Sequence, residues 1–281
     1  MHPEFIRIGP LDIHTYGVMV ALGFMIGLGT AVQRARRAGI DPDRVADFGI
    51  WLVVSGMLGG KLFHVIFFWN DFIYGLQHDG LRSLRSGFVF YGGFIAASLT
   101  AVAYATVKRL PLAKMGDILA PSIALGHAFG RMGCFFNGCC YGKVCATGFP
   151  FGVRFPRILG PTGNVVGSPP FVDHLRQGLV PMTATASLPI HPTELYEVAG
   201  NLVIFAWLSA FFRYRQYDGQ VWWLYVLSYG VLRFFVEFFR GDYDSHYFGA
   251  LTVGQIVAMV MIAVSIIAMA MLRKNVVAQP A

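Results

Sequence analysis

Nine ionisable side chains fall inside long apolar stretches of this sequence, where charged residues are rare. An ionised residue at the centre of a membrane helix costs about 2.5 kcal/mol or more, so such residues are usually kept for binding or catalysis. Each of the nine is therefore a candidate functional residue. They are Lys61, His64, His127, Arg131, Glu194, Glu197, Arg233, Glu237 and Arg240.

Arg131 stands in the segment HAFGRMGCFFNGCCYGK, which also holds three of the four cysteines. An arginine near a helix end can bind a phosphate through two parallel hydrogen bonds, and the nearby glycines would let a ligand approach closely. The alternative is an interfacial arginine that reaches lipid headgroups. The spacing alone favours neither interpretation.

Arg233, Glu237 and Arg240 follow one another at i, i+4 and i+7 in VLRFFVEFFRGD. This spacing predicts that all three share one face of a helix. Two arginines beside one carboxylate would leave one positive charge for an anion. The alternative is a structural ion pair of Arg233 with Glu237 that lets the helix pack in a bundle.

Two further segments place polar groups at predicted helix starts. HPTELYE has a proline in its first turn, and Glu194 and Glu197 are favoured by the helix dipole there. FYGGFIAA places Tyr91 before two glycines. A tyrosine at an interface usually anchors a membrane helix, although its hydroxyl could also contact a ligand or a reacting group.

The cysteines lie at positions 134, 139, 140 and 145. The spacing is not that of a C-x-x-C pair, and no nearby histidine completes a zinc pattern, so we predict no metal ligand and no cofactor. A disulfide of Cys145 with Cys139 or Cys140 is possible in an oxidising compartment. Otherwise the cysteines are small buried residues.

The composition indicates a membrane protein. The chain has 281 residues, of which 56% are hydrophobic and only 13% charged, whereas a soluble domain carries about 25% charged residues. The net charge of +7 is spread between apolar segments rather than gathered in one patch, which argues against a nucleic-acid partner. The N-terminus lacks the features of a cleavable signal peptide, so the first apolar run is expected to be a retained span.

We predict an all-α polytopic membrane protein, a single domain over residues 1–281 with about seven transmembrane helices. The basic residues favour alternate loops, which places the N-terminus outside and the C-terminus in the cytoplasm. Residues 141–190 lack a spanning run and would form a small extracytoplasmic head between the fourth and fifth helices. The predicted spans are Tyr16–Val32, Val45–Trp69, Phe88–Val107, Asp117–Asn137, Leu195–Phe212, Gln220–Phe239 and Leu251–Leu272.

Six motifs together resemble those of the bacterial prolipoprotein diacylglyceryl transferases, in the same order from about Ile8 to Leu272. They are IGPLDIHTYG, FVFYGGFIA, GRMGCFFNGCCYG, HPTELYE, RFFVEFFRGD and LTVGQI. The resemblance implies a multi-pass enzyme of the bacterial inner membrane with its active site toward the outer leaflet. It would move the diacylglyceryl group of phosphatidylglycerol to the lipobox cysteine in the signal peptide of a prolipoprotein, releasing glycerol phosphate.

The resemblance also implies roles for particular residues. The signature arginine that contacts the phospholipid headgroup falls on Arg131, and the family's second essential arginine falls on Arg240. Together with the charge pattern, it predicts as catalytic residues Arg131, Arg240, Tyr91 and Tyr16. The predicted substrate-binding residues are Arg131, Asn137, Gly142, Glu197, Arg233, Glu237 and His14.

The chain departs from the family pattern at its proposed base. Many members have histidine at the position of Tyr91, and Asn and Glu at the positions of Cys134 and Cys139. Tyrosine, with an ordinary pKa of about 10, is a poor base at neutral pH. The alternative is that Arg131 and Arg240 favour the thiolate electrostatically. A related lipid transferase with another acceptor or phospholipid, or a small-molecule transporter, are the rival functions.

Overall fold

The computed structural model describes residues 4–8, 11–85, 87–146, 148–159, 165–242, 246–248 and 251–277. It is mostly helical. Nine α-helices occur in these ranges, joined by short strands and turns. The helices are α1 Thr15–Arg37, α2 Pro42–Phe67, α3 Trp69–Asp79, α4 Phe90–Val107, α5 Leu112–Asn137, α6 Pro169–Arg176, α7 Thr193–Phe211, α8 Gln220–Glu237 and α9 Val253–Val277.

Five segments are long and apolar enough to cross a membrane, which supports a polytopic membrane protein. They are Thr15–Arg37, Pro42–Phe67, Phe90–Val107, Thr193–Tyr214 and Val253–Lys274. The other two predicted spans correspond to α5 and α8, which are 26 and 18 residues long. These two helices carry the charged and polar residues discussed below, and such residues lower the hydropathy of a helix.

The chain divides into two compact units, residues 28–118 and residues 1–27 with 119–281. In the first of these, α2 and α4 approach closely through small residues. A Cβ added at Gly59 would lie 2.3 Å from the Cβ of Ala96 and 2.7 Å from the carbonyl oxygen of Gly92. Such close helix contacts are common in membrane bundles, where packing rather than hydrophobicity holds helices together.

The same unit contains an element that the sequence analysis did not predict. Helix α2 ends at Phe67, because Phe68 leaves the helical conformation with φ −124° and ψ 45°. The chain then forms α3 and a 3-10 helix, Gly80–Arg85, before α4 begins. The predicted second span therefore ends two residues earlier than expected.

In the second unit, glycines again mark where helices meet. A Cβ on Gly23 of α1 would lie 2.7 Å from the Cβ of Phe129 on α5. A Cβ on Gly230 of α8 would lie 3.2 Å from the carbonyl oxygen of Ala258 on α9. Two short antiparallel strand pairs border the helices, β1 Glu4–Ile8 with β2 Leu11–His14, and β5 His246–Phe248 with β6 Leu251–Thr252.

The segment between α5 and α7 has its own small core. Tyr141, Phe155 and Ile190 are buried together, and the Tyr141 hydroxyl donates a hydrogen bond to Asp173 of α6. This segment also includes two short strands, β3 Ile158–Leu159 and β4 Val165–Gly167. Residues 160–164 of the segment lie outside the described ranges. The prediction of a separate head stays a prediction.

Candidate active site

Four charged side chains from three helices form one continuous chain of ion pairs. Arg131 of α5 contacts Glu197 of α7, with 2.7 Å between Nε and Oε2. Arg233 of α8 contacts the other oxygen of Glu197, Oε1, at 3.0 Å through Nη1. Its Nη2 reaches Oε2 of Glu237 at 2.6 Å. Positive and negative groups therefore alternate as Arg131, Glu197, Arg233 and Glu237.

Burial differs sharply between the two kinds of side chain in this network. The Glu197 and Glu237 side chains are 1% and 0% exposed, whereas those of Arg131 and Arg233 are 15% and 17% exposed. Buried charges are tolerated only when they are paired, so each carboxylate holds an arginine in place. The arginines then present the accessible part of the network, which suits an anionic ligand.

Glu237 is also held from the start of α9. The Thr252 hydroxyl donates a 2.8 Å hydrogen bond to Oε1 of Glu237 and accepts the backbone N–H of Gln255 at 3.2 Å. The Gln255 side chain accepts the backbone N–H of Thr252, which completes a capping box. A Cβ on Gly254 would lie 2.3 Å from Oε1 of Glu237. The motif LTVGQI therefore caps α9 and fixes a site carboxylate, a role that its residue types alone did not reveal.

Two aromatic groups border the ion pairs. Nε2 of His127 lies 3.7 Å from Oε2 of Glu197, and the His127 ring packs against Tyr229 with 4.8 Å between centroids. Tyr229 is also within hydrogen-bonding range of Arg131. His127 was a candidate from its position in an apolar run, whereas Tyr229 had no sequence signal because interior tyrosines are common.

Gly142 lies where three segments of the chain meet. Its N–H donates a 3.0 Å hydrogen bond to the His191 carbonyl, and it forms an isolated β-bridge with Arg240. A Cβ at this position would lie 2.4 Å from the His191 oxygen and 2.7 Å from the Phe239 oxygen. Only glycine fits such a backbone contact, so Gly142 has a structural reason to be in the motif.

We expect Gly142→Ala to lower the stability of the protein by about 1–3 kcal/mol, the usual cost of forcing extra atoms into a packed site. Thermal unfolding in detergent measures the effect. Gly29→Ala is the matched control, because a Cβ on Gly29 meets nothing within 4 Å. Equal melting temperatures for the two variants would contradict this packing role.

Arg240 does not share a helix face with Arg233 and Glu237, so that prediction is wrong. Helix α8 ends at Glu237, and the next N–H groups bond three residues back, including Arg240 to Glu237 at 3.3 Å. This tighter turn rotates Arg240 away from the α-helical position. Its guanidinium forms a forked contact with Asp242, 2.9 Å from Nε to Oδ1 and 2.5 Å from Nη2 to Oδ2. Burial raises the pKa of the Asp242 carboxyl, although the charge of Arg240 opposes the shift.

Three thiols gather just after the charged part of α5. The Sγ atoms of Cys134, Cys139 and Cys140 all lie within 4.8 Å of one another. All four cysteines are free thiols, so the possible disulfide of Cys145 is not present. Hydrogen bonds from Cys134 and Cys139, and then the charges of Arg131 and Arg240, lower the pKa of the Cys140 thiol.

The sequence matches one protein family along nearly its whole length. The model of the family "Prolipoprotein diacylglyceryl transferase" matches residues 3–271. The chain belongs to this family. Three relatives named phosphatidylglycerol–prolipoprotein diacylglyceryl transferase come from Clostridium tetani, Finegoldia magna and a Nostoc species. They are 33%, 32% and 30% identical to this chain, covering 86%, 95% and 96% of it and 86%, 94% and 89% of their own lengths.

Four of the ten predicted site residues contact one another directly. Arg131, Glu197, Arg233 and Glu237 form the ion-pair network described above. Tyr16 lies against α5, the signature helix that carries the motif GRMGCFFNGCCYG, because a Cβ on Gly133 of α5 would lie 3.0 Å from the Tyr16 ring.

Three further predicted residues, Asn137, His14 and Tyr91, are not members of the ion-pair network. Asn137 is the last residue of α5, and its side chain is within hydrogen-bonding range of Cys139. His14 is exposed at the end of β2. Tyr91 is the second residue of α4, in the other compact unit, and is 67% exposed.

Glu194 is a buried acid that the transferase motif did not single out. It is 0% exposed and lies within electrostatic range of Cys140, Arg131 and Arg240. Apart from its own backbone, its carboxylate has no hydrogen-bond partner in the described ranges. Glu194 and Glu197 therefore lie on the same helix and are both buried, but in the described ranges only Glu197 forms ion pairs with arginines.

Proposed function

We propose that this protein transfers the diacylglyceryl group of phosphatidylglycerol to the thiol of the lipobox cysteine in a prolipoprotein signal peptide. The products are a thioether-linked lipid and glycerol phosphate. The arginine pair Arg131 and Arg233 carries the proposal. Each is anchored by a buried glutamate and partly exposed on the other side, as expected for groups that bind a phosphate diester.

The arginines would act mainly on the departing phosphate. Attack by the lipobox sulfur on the glyceryl carbon breaks a C–O bond, and negative charge develops on the glycerol phosphate that leaves. Preorganised cations beside that oxygen stabilise the transition state because they need no reorganisation during the reaction. Arg131 is the principal candidate, and the forked Arg240–Asp242 pair lies within electrostatic range of Arg131.

Tyr16 and Asn137 are proposed as positioning residues. Tyr16 is 44% exposed beside the signature helix, and Asn137 ends that helix next to the thiols. Both can donate hydrogen bonds to the glyceryl or phosphate oxygens. His14, at the start of α1, is proposed to contact the headgroup from the solvent side.

The proposed setting is the bacterial inner membrane, with seven spans, the N-terminus outside and the C-terminus in the cytoplasm. In this arrangement α5 and α8 are the fourth and sixth spans, and they tolerate charges because the arginines and glutamates pair within the bundle. The segment 141–190 would form the extracytoplasmic head, and the site would open toward the outer leaflet, where both substrates are available.

We expect Tyr91→Phe to lower the transfer rate less than about tenfold, because a phenol is a poor base at neutral pH and Tyr91 is 67% exposed. Removal of a true general base costs about 10²–10⁴-fold. The measurement is kcat with a lipobox peptide and phosphatidylglycerol vesicles. A fall to the uncatalysed rate, restored by Tyr91→His, would instead identify this position as the base.

Complementation tests the proposed function in a cell. Expression of this chain should restore lipoprotein modification when the host's own transferase is depleted, and Arg131→Ala should not. A transferase that uses a different acceptor or phospholipid would not restore lipoprotein modification. A transporter would not restore it either, and it should contain a polar path across the bilayer.

A further inference from the structure

The three clustered thiols have the geometry of a metal site with one ligand missing. Their Sγ atoms lie within 4.8 Å of one another. A tetrahedral zinc ion with Zn–S bonds of about 2.3 Å separates its sulfurs by about 3.8 Å. Each thiol pair therefore has to close by at most about 1 Å, which small side-chain rotations supply.

The backbone after α5 is shaped so that these thiols meet. The N–H groups of Gly138 and Cys139 both bond back to the Cys134 carbonyl, at 2.8 and 3.2 Å. Gly138 and Cys140 then adopt positive φ values of 73° and 65°. A positive φ is uncommon for any residue with a Cβ, so the fold holds Cys140 in a conformation of higher energy. This turn brings together cysteines five and six positions apart, a spacing that no familiar zinc pattern contains.

The charges around the cluster also suit a bound cation. Three thiolates with one divalent ion carry a net charge of −1, and Arg131 and Arg240 lie within electrostatic range of Cys140. Glu194, whose buried carboxylate lacks a partner beyond its own backbone, lies within the same range. The two arginines offset the net charge of −1 that the cation–thiolate cluster would carry.

The site is open rather than closed. Structural zinc sites have four protein ligands, whereas catalytic sites have three and leave one position for water or substrate. Here the described residues offer three sulfurs, and all three cysteines are partly exposed. Cys145, the fourth cysteine, is buried elsewhere, 3.3 Å from the place of a Cβ on Gly152.

We propose that Cys134, Cys139 and Cys140 bind one zinc-class divalent cation, and that its fourth position takes the lipobox thiol. The identity of that thiol rests on the proposed function, but metal binding by the three cysteines does not. The cation would make the substrate thiol a thiolate at neutral pH, as bound zinc does for water. The thiols then do the work of the histidine, asparagine and glutamate that many relatives carry.

The lipobox thiol gives its proton to solvent and binds the cation as a thiolate. Its sulfur forms a C–S bond to the glyceryl carbon while the C–O bond to the phosphate breaks. That electron pair leaves on glycerol phosphate. The thioether product is a neutral, weak ligand, so it dissociates from the cation.

Metal content tests the site without any need for activity. The full chain, purified in detergent under reducing conditions and loaded with zinc, is expected to hold one zinc per chain by elemental analysis. Serine replacements of Cys134, Cys139 and Cys140, made singly, should each reduce this at least tenfold. Cys145→Ser is the matched control and should keep its zinc. Equal zinc content in the wild type and the triple serine variant would overturn the proposal.

Cobalt(II) substitution tests the open position. A sulfur-to-cobalt charge-transfer band should appear in the near ultraviolet and intensify with a lipobox peptide, but not with its Cys→Ser counterpart. An unchanged band would overturn the thiol-binding part. If the cluster is purified with a disulfide and the protein still binds no zinc after that disulfide has been reduced, the whole site would be overturned. Transfer by the metal-free protein would contradict this inference and leave the proposed function intact. Zinc binding by a protein that transfers no lipid would contradict the proposed function and leave the metal site intact.

Discussion

Arg131→Ala is expected to lower the rate of diacylglyceryl transfer by at least 10²–10³-fold, the usual loss when one preorganised donor to a developing anion is removed. The side chain is anchored through Nε by Glu197, at 2.7 Å from Oε2, and is 15% exposed. The terminal nitrogens of a guanidinium held in this way can form two parallel hydrogen bonds to a phosphate. Alanine removes both the charge and the donors.

Arg131→Lys separates charge from geometry. Lysine keeps the positive charge but cannot keep the Nε contact and a forked hydrogen bond together, so we expect only partial recovery of kcat. Arg176→Ala is the control, because that arginine is 77% exposed and its contact with Asp173 is a loose one of 3.9 Å. Transfer is measured with labelled phosphatidylglycerol. Wild-type activity in Arg131→Ala would remove this residue from the mechanism.

Glu197→Gln is expected to destabilise the protein by about 3–5 kcal/mol, the cost of breaking a buried ion pair from one side. Glu197 contacts both Arg131 and Arg233, so its loss leaves two partly buried guanidinium groups without their shared partner. Glutamine keeps the size of the side chain, and the effect therefore reports on charge.

Glu194→Gln provides a matched comparison one turn earlier on the same helix. Both glutamates are almost fully buried, but Glu194 has no ion-pair partner in the part of the chain described. Removing an unpaired buried charge is neutral or stabilising, so Glu194→Gln should unfold at the wild-type temperature or above it. Thermal unfolding of the two variants, side by side, measures the difference. Equal destabilisation would show that the pairing of Glu197 contributes nothing.

Local periodicity predicted some contacts of the site and missed others. The i, i+4 spacing gave the Arg233–Glu237 pair, since both residues lie within one helix. The same rule failed for Arg240, because the chain forms a tighter turn after Glu237 and no residue type in FFRGD indicates that change. The Arg131–Glu197 contact joins two helices, and no single-helix pattern contains it.

The cysteine cluster also could not be predicted from local sequence spacing. Their spacing predicted no metal ligand, because zinc patterns are read from short local repeats. The cluster depends on two positive φ values and the end of α5, which are properties of the folded backbone. Hydropathy predicted the five most apolar helices. Helices α5 and α8 are long enough to span but carry charged residues, and these are accommodated through ion pairs that form only in the folded bundle.

Diacylglyceryl transfer by the purified protein can be measured directly. The purified protein, reconstituted in vesicles containing phosphatidylglycerol labelled in its acyl chains, is mixed with a lipobox peptide. We expect the label to move to the peptide as a thioether, glycerol phosphate to form in equal amount, and a Cys→Ser peptide to accept none. Label that stays in the lipid, in vesicles where a relative from the same family transfers it, would show that this protein does not catalyse the transfer.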